Sequence, residues 1–208
     1  MAKVSTSKSK MGRNSRQKRL ILEKSASLFH RKGYRSTSMK DIARVCHFKP
    51  ANIYYYFSSK EQILYEVFKE AADRLNNNIA SLEHDSTMSP GERLRLFVKH
   101  HFETPAPGAK PYYMMFDMEL KNLSTAHRRE IIKKRDTYDI ILRKIIEDGI
   151  ADGTFETTDV KLSGYAIASI VVRSRLWFSP KGRLSSEQVS KFMGDFALNA
   201  LRKSVCDV

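Results

Sequence analysis

The residues best equipped to act on something outside the chain lie between Arg35 and Lys60. Lys49, Pro50 and Asn52 precede three tyrosines and a phenylalanine, Tyr54-Tyr55-Tyr56-Phe57, and Lys60 follows closely. Cations, amides and phenols at such spacing are donors suited to phosphate oxygens and base edges. Catalysis would need a nucleophile beside a base, paired carboxylates or a metal set. No such constellation is present, so an enzyme is not expected and no cofactor is implied. His100 and His101 point to different faces of a helix with no His or Cys four residues away, which argues against a metal. The two cysteines, Cys46 and Cys206, make no disulfide framework and suit a reducing compartment.

The elements that must position these donors are short helices. Ser38 is placed to cap a helix start, Asp41 favours its positive end, and Met39, Ile42, Ala43 and Cys46 share one face. Pro50 suits the first turn of a second helix, where a missing N–H costs little. Two short helices joined across Cys46-His47-Phe48 form a helix-turn-helix, whose second helix enters a major groove. Its outward residues are then Lys49, Pro50, Asn52, Tyr55 and Tyr56, with Ile53 and Phe57 inward. Charge agrees with this reading: residues 1–60 hold 15 Lys or Arg and 2 Asp or Glu, whereas residues 61–208 hold 22 and 21. Nearly all of the +14 net charge therefore sits in the first 60 residues. That is the footprint of phosphate binding, with steep salt dependence expected.

From Leu20 to Leu64 the chain closely resembles the DNA-binding domain of TetR/AcrR transcriptional regulators. The resemblance rests on Ala26, Phe29, Gly33-Tyr34, Thr37, Asp41-Ile42-Ala43, Ile53-Tyr54-Tyr55-Tyr56-Phe57 and Lys60-Glu61. It implies an all-α protein: an N-terminal helix-turn-helix head of three helices, and a C-terminal helical domain for ligand binding and dimerisation. It further implies a dimeric repressor that binds a palindromic double-stranded DNA operator and is released by a small effector. In family terms Thr37 and Lys60 touch phosphates at the groove edges, with Arg35 and Ser38 counted beside them. Tyr55 and Tyr56 hold the backbone, and Lys49, Pro50, Ala51 and Asn52 approach base edges. Two residues depart from the pattern: His47 replaces the usual turn glycine, and Lys49 a small capping hydroxyl. His is among the few types other than Gly enriched at positive φ, so the turn survives.

The organisation expected is a disordered basic arm over 1–12, a DNA-binding domain over 13–60 and an effector-binding and dimerisation domain over 61–208. No apolar run reaches 18 residues and no signal-peptide core follows the basic amino terminus, so a cytoplasmic protein without membrane contact is expected. Helical periodicity dominates beyond Lys60: about Glu61–His84, from Ser89-Pro90, Ser124–Asp152, Val160–Phe178 and Ser185–Lys203. The last two carry more apolar surface than one core needs and are the candidates for self-association, with Gly164, Ala168 and Ala197 permitting close approach.

Phe97, His101, Phe102, Tyr112, Met115, Phe116, Tyr138, Arg173 and Trp177 are the candidate lining of an effector pocket, mixing apolar bulk with a few polar groups. The same cluster is compatible with ordinary core. Trp177-Phe178-Ser179-Pro180-Lys181-Gly182-Arg183-Leu184-Ser185 resembles the last interhelical loop of the TetR branch that responds to acyl-CoA thioesters. For that ligand, Arg173, Arg175, Lys181 or Arg183 could face the CoA phosphates. A multidrug sensor of the same fold is the alternative, and a non-specific DNA-coating protein a more distant one, since coating leaves a neutral 148-residue body unexplained.

Overall fold

The computed structural model describes residues 3–103, 119–179 and 181–202. Among these the chain is helical apart from one isolated antiparallel bridge, Phe155 to Arg202. The helices are α1 (Lys3–Lys32), α2 (Met39–Val45), α3 (Pro50–Tyr56), α4 (Lys60–Ile79), α5 (Pro90–Glu103), α6 (Thr125–Ala151), α7 (Val160–Trp177) and α8 (Ser186–Leu201). Short 3-10 turns follow α4 (Ala80–Glu83) and precede α6 (Leu120–Asn122). No helix among the described residues is long and apolar enough to cross a membrane.

The fold comprises two compact units, each with its own core. The first takes residues 3–71 with 119–131. Phe29, Ile42, Ile53, Phe57, Ile63 and Phe68 fill it, and Leu123 and Ile131 join them from far along the chain. Its turns follow from local chemistry. Gly33, at φ 82°, ends α1 by donating its N–H to Phe29 O. Ser38 and Asp41 form a capping box at α2. At the end of α2, Phe48 N–H donates to Ala43 O and His47 N–H to Arg44 O, a Schellman motif with His47 at φ 56°. His47 thus takes the left-handed turn conformation expected of it. α3 begins at Pro50 with no side-chain cap from Lys49, also as expected.

The second unit takes residues 72–103, 132–179 and 181–202. Leu94, Phe97, Val98, Ile141, Leu142, Ile145 and Ile146 form its centre, with Val189, Met193, Ala197 and Leu201 from α8. α8 passes α5 at Gly194, where a Cβ would meet Arg95 Cγ at 3.4 Å, an ordinary contact distance. Arg93, nearly fully buried, donates to the carbonyls of Leu82 and Glu83 and to Asp148, so it ties the turn after α4 to α6.

The apolar stripe of α8 divides. Val189, Met193, Ala197 and Leu201 are buried, whereas Phe192 and Phe196 are exposed and stacked with ring centroids 6.5 Å apart. Leu162, Tyr165 and Ile170 are likewise exposed on α7. A groove of about 210 Å³, lined by Ala166, Ile170, Phe196 and Ala200 among others, runs between the two helices. Of the small residues expected to permit close approach, Gly164 packs against Arg143 and Ala168 is half-buried against the core, while Ala197 is buried and also lines this groove, with Ala166 and Ala200 exposed beside it.

Candidate nucleic-acid interface

α3 has seven residues, too few to hold itself. Ile53 and Phe57 anchor it in the first unit's core, at 0% and 1% exposure, and Lys18 Nζ lies 5.5 Å above the Phe57 ring. Lys49, Pro50, Ala51, Asn52 and Tyr55 are then all exposed, on one contiguous face. Arg35 is exposed in the loop before α2. Tyr56 is half-buried, its ring edge-on to Tyr55 and its hydroxyl directed at α1. Tyr54, which the sequence reading left out, is 55% exposed on the Pro50 side of the same helix. The helical spacing could have found it, since Tyr54 stands about 100° from the buried Ile53.

Three residues expected at the phosphates are engaged inside the protein. Thr37 is buried and its hydroxyl donates to Gly33 O. Ser38 spends its hydroxyl on the capping box with Asp41. Lys60 Nζ donates to Thr37 O at 2.7 Å and Tyr34 O at 2.8 Å, and lies 4.2 Å over the Tyr34 ring. Lys60 therefore braces the loop that displays Arg35. Burial lowers its pKa, against the pull of Glu119. The Ser38 N–H and hydroxyl, with Lys32 beyond them, hold the Asp41 carboxyl well below the usual range. Burial pushes the Cys46 thiol up to about 11, which makes it a core residue without thiolate chemistry.

Residues 119–131 complete the support. Glu119 accepts from Tyr34 N–H, and Glu61 accepts from Ser124 N–H and lies 2.9 Å from His127 Nδ1. The His127 ring stacks on Tyr65, whose hydroxyl donates to Glu130.

The candidate effector residues separate. Phe97 and His101 are fully buried with Tyr138, whose hydroxyl is 3.3 Å from His101 Nδ1, and the Phe97 and Tyr138 rings are 4.6 Å apart. Phe102 joins them through His101 and packs edge-on to Phe178. Arg173 and Trp177 are exposed, Trp177 at 62%, so the structure removes them from that cluster. A helix read as buried all round suggested an inward Trp177; α7 instead leaves one face uncovered. Tyr112, Met115 and Phe116 lie outside the described residues. Among the described residues no group of His, Cys, Asp and Glu is arranged to hold a metal ion.

A cationic head presenting an exposed second helix across a Schellman turn defines a helix-turn-helix DNA-binding regulator. Comparison with known proteins agrees. Residues 21–67 match the family of bacterial regulatory proteins of the tetR type, and residues 87–201 the tetracyclin repressor-like C-terminal domain. The chain belongs to the TetR family. It is 28% identical over 192 residues to the HTH-type transcriptional repressor KstR2 of Mycolicibacterium smegmatis, covering 90% of this chain and 91% of that one. Its fold is similar to that of the TetR family regulator PfmR from Thermus thermophilus, at 33% identity and a TM-score of 0.78, covering 88% and 99% of the two chains. It is also similar to AibR, solved in complex with isovaleryl coenzyme A and operator DNA, at 26% identity and a TM-score of 0.74, covering 89% and 98%.

Proposed function

We propose that the protein is a repressor that binds a palindromic operator as a homodimer and is released by an acyl-CoA thioester. The observation that carries the DNA part is the exposed run Lys49, Pro50, Ala51, Asn52, Tyr55 on a helix held from behind, with Arg35 beside it and Tyr54 added to the set. Lys49 and Asn52 read base edges, while Arg35 and the tyrosines hold phosphates and sugars. Thr37, Ser38 and Lys60 contribute by fixing the loops. The DNA-binding module is centred on residues 13–60 and supported by 61–71 and 119–131; the basic stretch over 1–12, expected as a disordered arm, is helical from Lys3 as the start of α1, and effector binding and dimerisation belong to the second unit.

The uncovered face of α7 and α8 supports dimerisation. Phe192, Phe196, Leu162 and Tyr165 are large apolar side chains left exposed on these two helices, which a partner would cover. A two-fold axis through it pairs the groove with itself, and a dimeric helix-turn-helix regulator reads half-sites about 34–36 Å apart.

The effector reading draws on AibR, whose solved complex holds an acyl-CoA together with operator DNA. It draws also on the buried Phe97, His101 and Tyr138 with the half-buried Phe102, which offer an apolar wall with one polar pair. Exposed Arg173, Lys181 and Arg183 supply cations for CoA phosphates from outside that cluster. Release requires only that the ligand prefer the DNA-incompetent state by a few kcal/mol.

A binding site selected from random DNA tests the first part: a palindrome is expected, and uniform enrichment of unrelated sequences would reject it. Titrating the complex with isovaleryl-CoA, longer acyl-CoAs and free CoA tests the second. Release by thioesters and not by CoA is expected; no release by any chain length would reject the effector.

A further inference from the structure

Where α1 passes beside α3, Gln17, Phe48, Asn52, Tyr55 and Tyr56 line a notch of about 230 Å³. The Tyr56 hydroxyl lies 2.5 Å from Gln17 Oε1 and 3.0 Å from Asn14 Oδ1. A phenol carries one proton, so Tyr56 can donate to one of these two amides and must accept from the other; the closer partner, Gln17 Oε1, is taken as the acceptor. Asn14 then satisfies the second contact by turning its amide so that Nδ2 donates, which moves no heavy atom. Tyr56 therefore donates inward and has no proton left for DNA. The same bond occupies Oε1 of the Gln17 amide and leaves Nε2, the donor end, uncommitted to Tyr56. Asn52 and Tyr55 are exposed at the same rim, and no carboxylate is among the lining residues. Neutral N–H and O–H donors without an acid, set in a segment of strongly positive charge, form a cradle for an anion.

We propose that this notch takes one backbone phosphate of bound DNA, with Gln17 Nε2 as the direct donor and Tyr56 as a positioning residue that orients the amide. The inference rests on the DNA-binding reading and extends the contact surface from the helix-turn-helix onto α1. Because Gln17 is neutral, its contribution differs in kind from that of Lys49 or Arg35. It strengthens the complex without releasing a counterion.

The test begins with wild-type protein on a selected operator; absence of binding there would count against the DNA-binding reading and not against the notch. Gln17→Ala, Gln17→Glu and Tyr56→Phe are then measured on operators in which one phosphate at a time is replaced by a neutral methylphosphonate. Gln17→Ala is expected to weaken binding about tenfold, the loss of one hydrogen bond to a charged group. Its salt slope should stay at the wild-type value, and its effect should vanish on the one operator lacking the cradled phosphate. Gln17→Glu keeps an acceptor for Tyr56 and hence the α1 to α3 bond, but turns an anion toward the phosphate, so it should weaken binding further. Tyr56→Phe should show a smaller loss coupled to the same phosphate. Operator binding by Gln17→Glu at the wild-type level, or losses coupled to no single phosphate, would overturn the assignment.

Discussion

Replacing Lys60 by Met separates two roles that the sequence cannot distinguish. As a phosphate ligand, Lys60 would contribute to DNA affinity through its charge. As a brace, it contributes to the head's stability through two short bonds to Thr37 O and Tyr34 O. Charge-assisted hydrogen bonds contribute about 1.5 kcal/mol each, and an ammonium over a tyrosine face about 0.5 kcal/mol more. Solvent reaches Lys60, so the sum is discounted to about 2 kcal/mol. For a chain of this size that lowers Tm by roughly 4–8 °C. Burial lowers the Lys60 pKa, against the pull of Glu119. The assay is a thermal melt by circular dichroism together with the slope of log K for the operator against log salt. The brace predicts a lower Tm and an unchanged slope. A wild-type melt with a slope shallower by about 0.9, the signature of one lost phosphate contact, would refute it.

Three further outcomes follow from the geometry. Phe192→Glu with Phe196→Glu should convert the dimer to monomer in light scattering; four half-exposed rings at about 1–1.5 kcal/mol each imply a shift in the dimer constant of about a thousand-fold or more. His47→Val should destabilise the head by about 1–2 kcal/mol because a β-branched residue resists positive φ, whereas His47→Gly should melt within about 0.5 kcal/mol of wild type. Burial raises the Glu61 pKa, but Ser124 N–H and His127 outweigh it and the net direction is down. Its stabilisation is thus present above the ordinary Glu value and lost as pH falls through the lower native one; Glu61→Gln should flatten that acid limb of Tm against pH, and parallel profiles would contradict it.

Features carried by neighbours in sequence were legible. The Ser38 and Asp41 box, Pro50 at a helix start, positive φ at His47 and the spans of α5 to α8 all follow from local signals of capping, φ restriction and 3.6-residue periodicity. Periodicity says which residues share a face but not what covers it. Helical spacing thus puts Val189, Met193, Ala197 and Leu201 on one stripe with Phe192 and Phe196, although only the first set is buried in the core. Trp177 was read as inward for the same reason. Leu123, Ile131 and Glu119 belong to the head through packing partners far away along the chain, Glu119 and Tyr34 being 85 residues apart, which no local pattern encodes. Lys60 looked like a DNA contact because its charge is visible in sequence and the carbonyls around it are not.

The last point bears on how a DNA-binding surface is recognised. Basic and hydroxyl residues are abundant from Arg35 to Lys60, and residue type alone ranks Thr37, Ser38 and Lys60 with Lys49 and Asn52. Their internal partners separate them. A short head must close three loops, and each loop leaves backbone carbonyls and N–H groups that water or side chains must satisfy. Thr37, Ser38, Asp41 and Lys60 meet that demand, and Tyr56 gives its proton to α1. Lys49, Asn52, Tyr54, Tyr55 and Arg35 are exposed and can form new bonds without breaking old ones. Gln17 stands between the groups: its Oε1 is committed to Tyr56, and in the proposed complex that internal bond orients Nε2 toward the phosphate and lowers the entropy cost of binding.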